Sequence, residues 1–127
     1  MKQFIHTIPP DINELETKVV DGQRLYETPD GKLYPSVTTV LKDLSAAGIA
    51  AWRKKVGDEV ANKVSAQASS RGTAVHKLCE DYINNEEDYL EGHMPANVET
   101  FNTLKGLIDK YLDNIIMQEV PLYSNYL

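Results

Sequence analysis

A single cysteine, Cys79, is all the thiol chemistry in the chain, which excludes an internal disulfide and a multi-cysteine zinc site. No apolar run approaches the ~18 residues that a membrane-spanning helix needs. The opening Met1-Lys2-Gln3-Phe4-Ile5-His6 has no long apolar stretch of the secretory kind. These absences predict a protein of a reducing, cytoplasmic compartment with no membrane partner. There is also no Gly-rich phosphate loop, no nucleophile elbow, no paired-carboxylate spacing, no internal repeat and no low-complexity tract. Basic residues are in deficit, 13 Lys+Arg against 19 Asp+Glu for a net charge of −6, which argues against coating nucleic acid by charge alone.

What is there is an ordinary globular composition: 127 residues, 42% hydrophobic and 25% charged. That is one domain at most, and wholesale disorder is excluded. The charge is uneven. Residues 1–39 hold 4 basic and 6 acidic groups, residues 40–80 hold 7 and 4, and residues 81–127 hold 2 and 9. A basic middle beside an acidic end suits an anionic ligand met on one face, although such asymmetry is common on solvated surfaces.

Along the chain, the lead-in to Leu15 is interrupted at Pro9-Pro10 and reads as irregular. Lys18-Val19-Val20, Asp21-Gly22 and Arg24-Leu25-Tyr26-Glu27 form a strand–turn–strand pattern, because Asp-Gly supplies the positive φ angles of a tight hairpin. Pro29-Asp30-Gly31 turns again into Lys32-Leu33-Tyr34, which predicts a meander of three strands. Ser36 is placed to cap a helix through Leu41, with Gly48 separating it from a second helical stretch, Ile49 to Val56. Gly57-Asp58 break and recap the chain. The next helix opens at Glu59 and passes Ser69-Ser70-Arg71-Gly72, where Gly72 either splits it or lies inside it. Val75, Leu78, Cys79, Tyr82 and Ile83 then mark one helical face. Residues 84–95 read as an acidic loop, and Val98, Phe101, Leu104, Ile108, Tyr111, Leu112 and Ile115 as a further stripe. Residues 115–123 look extended, with Pro121 placing that strand at a sheet edge or facing no partner. The N-terminal hairpin is one partner that could accept it.

The sharpest constellation is Arg71-Gly72-Thr73-Ala74-Val75-His76-Lys77-Leu78-Cys79-Glu80. His76 and Glu80 stand one turn apart on one side of a helix, flanking the apolar stripe. An imidazole there can ligate a divalent metal or shuttle a proton while Glu80 orients it. Taken alone, His76 reads more readily as a structural histidine, and Glu80 as a surface carboxylate or a partner of Lys77. Cys79 lies on the apolar face and reads as core, and His6 and His93 have no companion ligands nearby in sequence. Trp52 followed by Arg53-Lys54-Lys55 could grip phosphates, although a solvated helix face with a buried Trp is the better single reading. Ser36, Thr38 and Thr39 are capping groups first and phosphate-contacting hydroxyls second.

Tyr34-Pro35-Ser36-Val37-Thr38-Thr39-Val40-Leu41, then Trp52, then residues 71–80, then Gln118-Glu119-Val120-Pro121-Leu122-Tyr123-Ser124 resemble the RecB-like branch of the PD-(D/E)XK nucleases. The nearest pattern is the phage exonuclease group similar to the mitochondrial genome maintenance exonuclease, over roughly residues 34–127. The resemblance implies a helix-rich α+β fold that is the front part of a restriction-endonuclease-like α/β core. In that reading residues 1–35 are lead-in and meander, 36–115 the helical part with three to four helices, and 116–127 the first core strand.

The resemblance further implies that His76 contributes to a Mg²⁺ or Mn²⁺ site, that Glu80 supports it, and that Glu119 is the glutamate of the first core strand. Ser36, Thr38, Arg53, Lys54, Lys55 and Arg71 would face DNA. The family's Gly-x-x-Asp and Asp/Glu-x-Lys elements follow that strand and have no counterpart in these residues. The expectation is therefore one incomplete domain, inactive alone. A second chain or a C-terminal segment would complete it, in the cytoplasm of a bacterial or phage-infected cell. The competing expectation is a non-catalytic helical module that binds nucleic acid or a protein partner.

Overall fold

Local rules account for most elements in the computed structural model, which describes residues 2–126. Asp21 and Gly22 take φ of 52° and 77°, the mirror-image turn whose twist matches that of the strands it joins. β2 (Glu16–Val20) and β3 (Gln23–Glu27) therefore pair antiparallel, with Val20 opposite Gln23 and Glu16 opposite Glu27. The two facing glutamates repel, and Lys18 offsets this with an ion pair to Glu27 at 2.9 Å. A second turn through Gly31, φ 81°, brings β4 (Leu33–Tyr34) against β3. The meander expected from the sequence is present.

Ser36 caps α1 (Val37–Val56) by accepting the Thr39 N–H at 3.1 Å. The helix does not stop at Gly48. Ala46, Ala47, Ala50 and Ala51 surround that glycine, and their high propensity offsets its roughly 1 kcal/mol penalty. The break comes at Gly57, φ 88°, whose N–H closes on the Arg53 carbonyl at 2.8 Å. Asp58 and Glu59 then sit in the first turn of α2 (Asp58–Ile83), at the end favoured for negative charge. Gly72 lies inside α2.

The last helix, α3 (Pro95–Tyr111), ends one turn before the apolar stripe expected to run to Ile115. Leu112 turns extended, and the Lys2 ammonium takes up the carbonyls of Asp109 (2.8 Å) and Leu112 (2.6 Å) at the helix end.

Two expectations about strands are corrected. The lead-in is not wholly irregular: β1 (Ile5–His6) pairs in parallel with β5 (Asn114–Ile115). The expected strand over 116–127 is absent from the described residues, the strand ending at Ile115. After the Thr7 N–H reaches the Ile115 carbonyl at 2.8 Å, Pro9 and Pro10 have no N–H to continue the ladder. Glu119 then takes φ 56° and bends the chain out of the extended path.

The architecture is α+β, with three helices and two small sheets among the described residues. It gathers into two units, Met1–Pro9 with Asn62–Gln118, and Pro10–Ala61 with Glu119–Leu127. The first has a core of Phe4, Leu78, Tyr82 and Phe101. Tyr82 meets Phe4 and Phe101 edge-to-face at centroid distances of 5.3 and 5.5 Å, a favoured aromatic geometry. Asn85 clamps the N-terminal segment onto that core, accepting the Phe4 N–H at 2.8 Å and donating to its carbonyl at 2.9 Å. The second unit carries the meander and α1, in which no residue is buried. No helix among the described residues is long and apolar enough to cross a membrane.

Candidate functional site

The candidate residues divide between the two units. Arg71, His76 and Glu80 belong to the first, and Ser36, Thr38, Arg53, Lys54, Lys55 and Glu119 to the second.

On α2 the buried face is Val75, Leu78 and Tyr82. His76 is exposed and Glu80, one turn on, is half-buried; the helical pitch puts both on one side, beside the buried stripe. A Cβ added at Gly72 would meet nothing within 4 Å, so no close approach inside this chain demands that glycine. Gln118 donates to the Glu80 carbonyl at 3.3 Å and to the Asn84 side chain at 2.6 Å. The segment leading to Glu119 is thereby held on the last turns of α2. Lys77 is taken up by Asp81 at 2.7 Å, and that hydrogen bond raises its pKa. The pair Lys77–Glu80 is thus replaced by Lys77–Asp81. Cys79 is half-buried and desolvation pushes its thiol up, away from thiolate character. His6 bonds the Ile83 carbonyl at 2.8 Å, near the end of α2.

Mg²⁺ and Mn²⁺ take six ligands, several of them water; His76 would fill one such position, with Glu80 as its supporting carboxylate. No group of three or more His, Cys, Asp or Glu side chains is placed to hold a metal among the described residues. The residues present therefore do not amount to a metal site by themselves.

In the second unit Ser36 is engaged as a cap, its hydroxyl also 3.0 and 2.8 Å from those of Thr38 and Thr39. Arg53 is half-buried and pairs with Asp58 at 3.2 Å. Lys54 and Lys55 are exposed in the last turn of α1. Trp52 is 37% exposed rather than buried. Val37, Val40, Leu41, Leu44 and Ile49 of the same helix are all exposed, Leu44 by 79%.

Glu119 and Ser36 fall on one groove, a juxtaposition that the sequence did not anticipate. Both line an open groove of about 860 Å³ in the second unit. Its other lining includes Glu14, Tyr26, Tyr34 and Pro35, the Val37–Leu41 turn of α1, and Pro121 to Tyr123. Sequence reasoning missed the tyrosines and Glu14 as site residues. They come from segments about a hundred residues apart, and no local spacing links them. The Tyr34 hydroxyl donates to the Asn125 side chain at 2.7 Å, and Arg24 stacks on Tyr26 with its carbon 5.1 Å from the ring centroid.

No protein-family model, curated protein or solved structure matches this chain.

Proposed function

We propose that these residues form the N-terminal part of a metal-dependent DNA exonuclease of the PD-(D/E)XK type. The observation that supports this reading is the exposed His76 with Glu80 one turn away on the same side of α2. A carboxylate-bearing sheet, from a further segment or a second chain, would supply the remaining ligands and the lysine of phosphodiester hydrolysis. Mg²⁺ or Mn²⁺ would supply charge neutralisation at the phosphate in the completed site. Within this chain, His76 positions the metal-facing side, Glu80 and Glu119 are supporting carboxylates, and Lys54, Lys55 and Arg71 meet backbone phosphates. Arg53 joins them by exchanging Asp58 for phosphate, and Ser36 and Thr38 contribute at the start of α1. The cellular setting is the cytoplasm of a bacterial or phage-infected cell.

The uncovered apolar stripe of α1 supports a second reading, a non-catalytic module in which a protein partner or nucleic-acid complex covers that face. In the nuclease reading the completing sheet covers it.

Binding of a labelled DNA duplex, followed by anisotropy across a salt series, tests the proposal. Charge reversal of Lys54 and Lys55 is expected to weaken binding by roughly tenfold or more at low salt and to flatten the salt dependence. The chain alone with Mg²⁺ is expected to leave the duplex intact. Absence of salt-dependent binding would overturn the DNA assignment, and Mg²⁺-dependent cleavage lost in His76→Ala would overturn the claim that the site is incomplete.

A further inference from the structure

The meander has one long open edge. In the order β2-β3-β4 both outer strands are edges, but β4 has two residues and β2 has five, all of them exposed. The Thr28 N–H bonds the Lys32 carbonyl at 2.8 Å, and Tyr26 stands opposite Tyr34. Amide groups alternate sides along a strand, so Arg24, Tyr26 and Thr28 turn theirs toward β4. Gln23, Leu25 and Glu27 then serve Val20, Lys18 and Glu16. The N–H and carbonyl groups of Thr17 and Val19 therefore point away from the sheet. An outward row of this kind is a template for another strand.

The side chains select the occupant. An antiparallel second copy of β2, centred on Thr17, sets Thr17 against the partner's Thr17. Glu16 then faces the partner's Lys18, and Lys18 faces the partner's Glu16. Both charge pairs fall at the closer of the two antiparallel spacings, about 4.5 Å between Cα atoms. Leu15, one residue before the strand, comes opposite the partner's Val19, a side chain 72% exposed in the single chain. Within one chain Glu16 already stands opposite Glu27, and Lys18 pairs with that same Glu27. A second lysine relieves the repulsion that the hairpin carries. Other registers lose this. Thr17 opposite Val19 would set Lys18 against Lys18, and a parallel in-register pair would set every charge beside its like. Lysine on an edge strand commonly discourages pairing; here it rejects those registers and suits one.

We propose that two copies of this chain pair edge to edge through β2, joining their meanders into one antiparallel sheet. So short an edge buries well below the roughly 1,200 Å² of a stable complex. The association is therefore weak and reversible, with a dissociation constant on the order of 0.1–1 mM. The inference stands apart from the nuclease reading, in which no residue of β2 has a role.

Sedimentation velocity and ¹⁵N amide spectra of the chain, from about 10 µM to about 2 mM, test this. The average mass is expected to climb toward that of two chains, with concentration-dependent amide shifts that start at residues 15–19. Glu16→Lys and Lys18→Glu should each weaken the association about tenfold or more. An equimolar mixture of the two should regain it, because each lysine then meets a glutamate. Thr17→Pro removes an outward N–H that the single hairpin does not use. It should keep the hairpin and abolish the association. Should Lys18→Glu unfold the hairpin by losing the ion pair to Glu27, the wild-type shift map and Thr17→Pro still decide. Constant mass across the series, shifts that start on α1, or undiminished association of Thr17→Pro would each overturn the proposal. So would a mixture that fails to associate although both variants keep the hairpin.

Discussion

The α2 and α1 helices carry the same kind of apolar periodicity and meet opposite fates. In the first unit, Val75, Leu78 and Tyr82 of α2 are buried, and Leu78 and Tyr82 share a core with Phe4 and Phe101. In the second, the stripe of Val37, Val40, Leu41 and Leu44 on α1 stays exposed. The lesson is that periodicity specifies a face and not its cover. For α2 the cover comes from far along the chain, through a short parallel ladder, the Asn85 clamp and the Lys2 cap. On α1 no residue is buried among the described residues, and Pro121 to Tyr123 only wall an open groove beside its first turns.

Substitutions can break or sharpen this contrast. The largest effect belongs to Phe101→Ala, which empties the centre of the aromatic cluster and should cost about 3–5 kcal/mol in urea unfolding followed through the amides of α3. An effect below about 1 kcal/mol would show that the first unit is loosely packed. Tyr82→Phe keeps the ring and removes the hydroxyl that donates to Asp109; a loss of about 1–3 kcal/mol is expected. Asn85→Ala removes both backbone hydrogen bonds to Phe4 and a side chain suited to φ 62°. It should cost about 1–2 kcal/mol and speed hydrogen exchange at residues 4–7 before the rest of the unit. The smallest effect belongs to Leu44→Ser, within about 0.5 kcal/mol because the side chain is already in water. A cost of several kcal/mol there would mean that α1 is covered in solution.

The Tyr82–Asp109 pair also gives the first unit a pH signature. The Tyr82 hydroxyl holds the Asp109 carboxyl below the usual carboxylate value against the opposing effect of burial, with help from the Lys105 ammonium. A carboxylate lowered on folding stabilises above its unfolded value near 3.8, and that contribution is lost as pH falls through the lower folded value. Burial first, and Asp109 second, push the Tyr82 phenol up from near 10. Its contribution is full below that value and is lost as pH rises through the higher folded one. Stability of the first unit should therefore fall at both pH extremes. Tyr82→Phe should remove the alkaline loss and shrink the acid one, as read by urea midpoints across a pH series.

What was legible in the sequence was local. Asp21-Gly22 demands positive φ wherever it sits, Ser36 caps whatever helix follows it, and residues 75–83 show their buried face by spacing alone. What was not legible depends on distant partners. The lead-in looked irregular because Pro9-Pro10 sit beside it, yet Ile5 and His6 become a strand once Asn114 and Ile115 arrive. The stretch around Val120 looked extended, yet the prolines that end β1 and the bend at Glu119 leave it without a ladder. At Gly48 the local rule itself lost, overridden by the alanines around it. Of the candidate site, the helical neighbourhood of His76 and Glu80 was readable from spacing. The meeting of Ser36 with Glu119 was not, and neither was the tyrosine-lined groove around them.

The most direct test of the central assignment is Mn²⁺-induced broadening of amide signals in the ¹⁵N-labelled chain. The account predicts that signals of residues 73–80 fade first, though only at a large excess of Mn²⁺ because the ligand shell is incomplete, and persist in His76→Ala, in the pattern of a metal resting weakly against that side of α2. Broadening that starts at Glu86, Glu87 and Asp88, leaves residues 73–80 sharp and is indifferent to His76→Ala would contradict it.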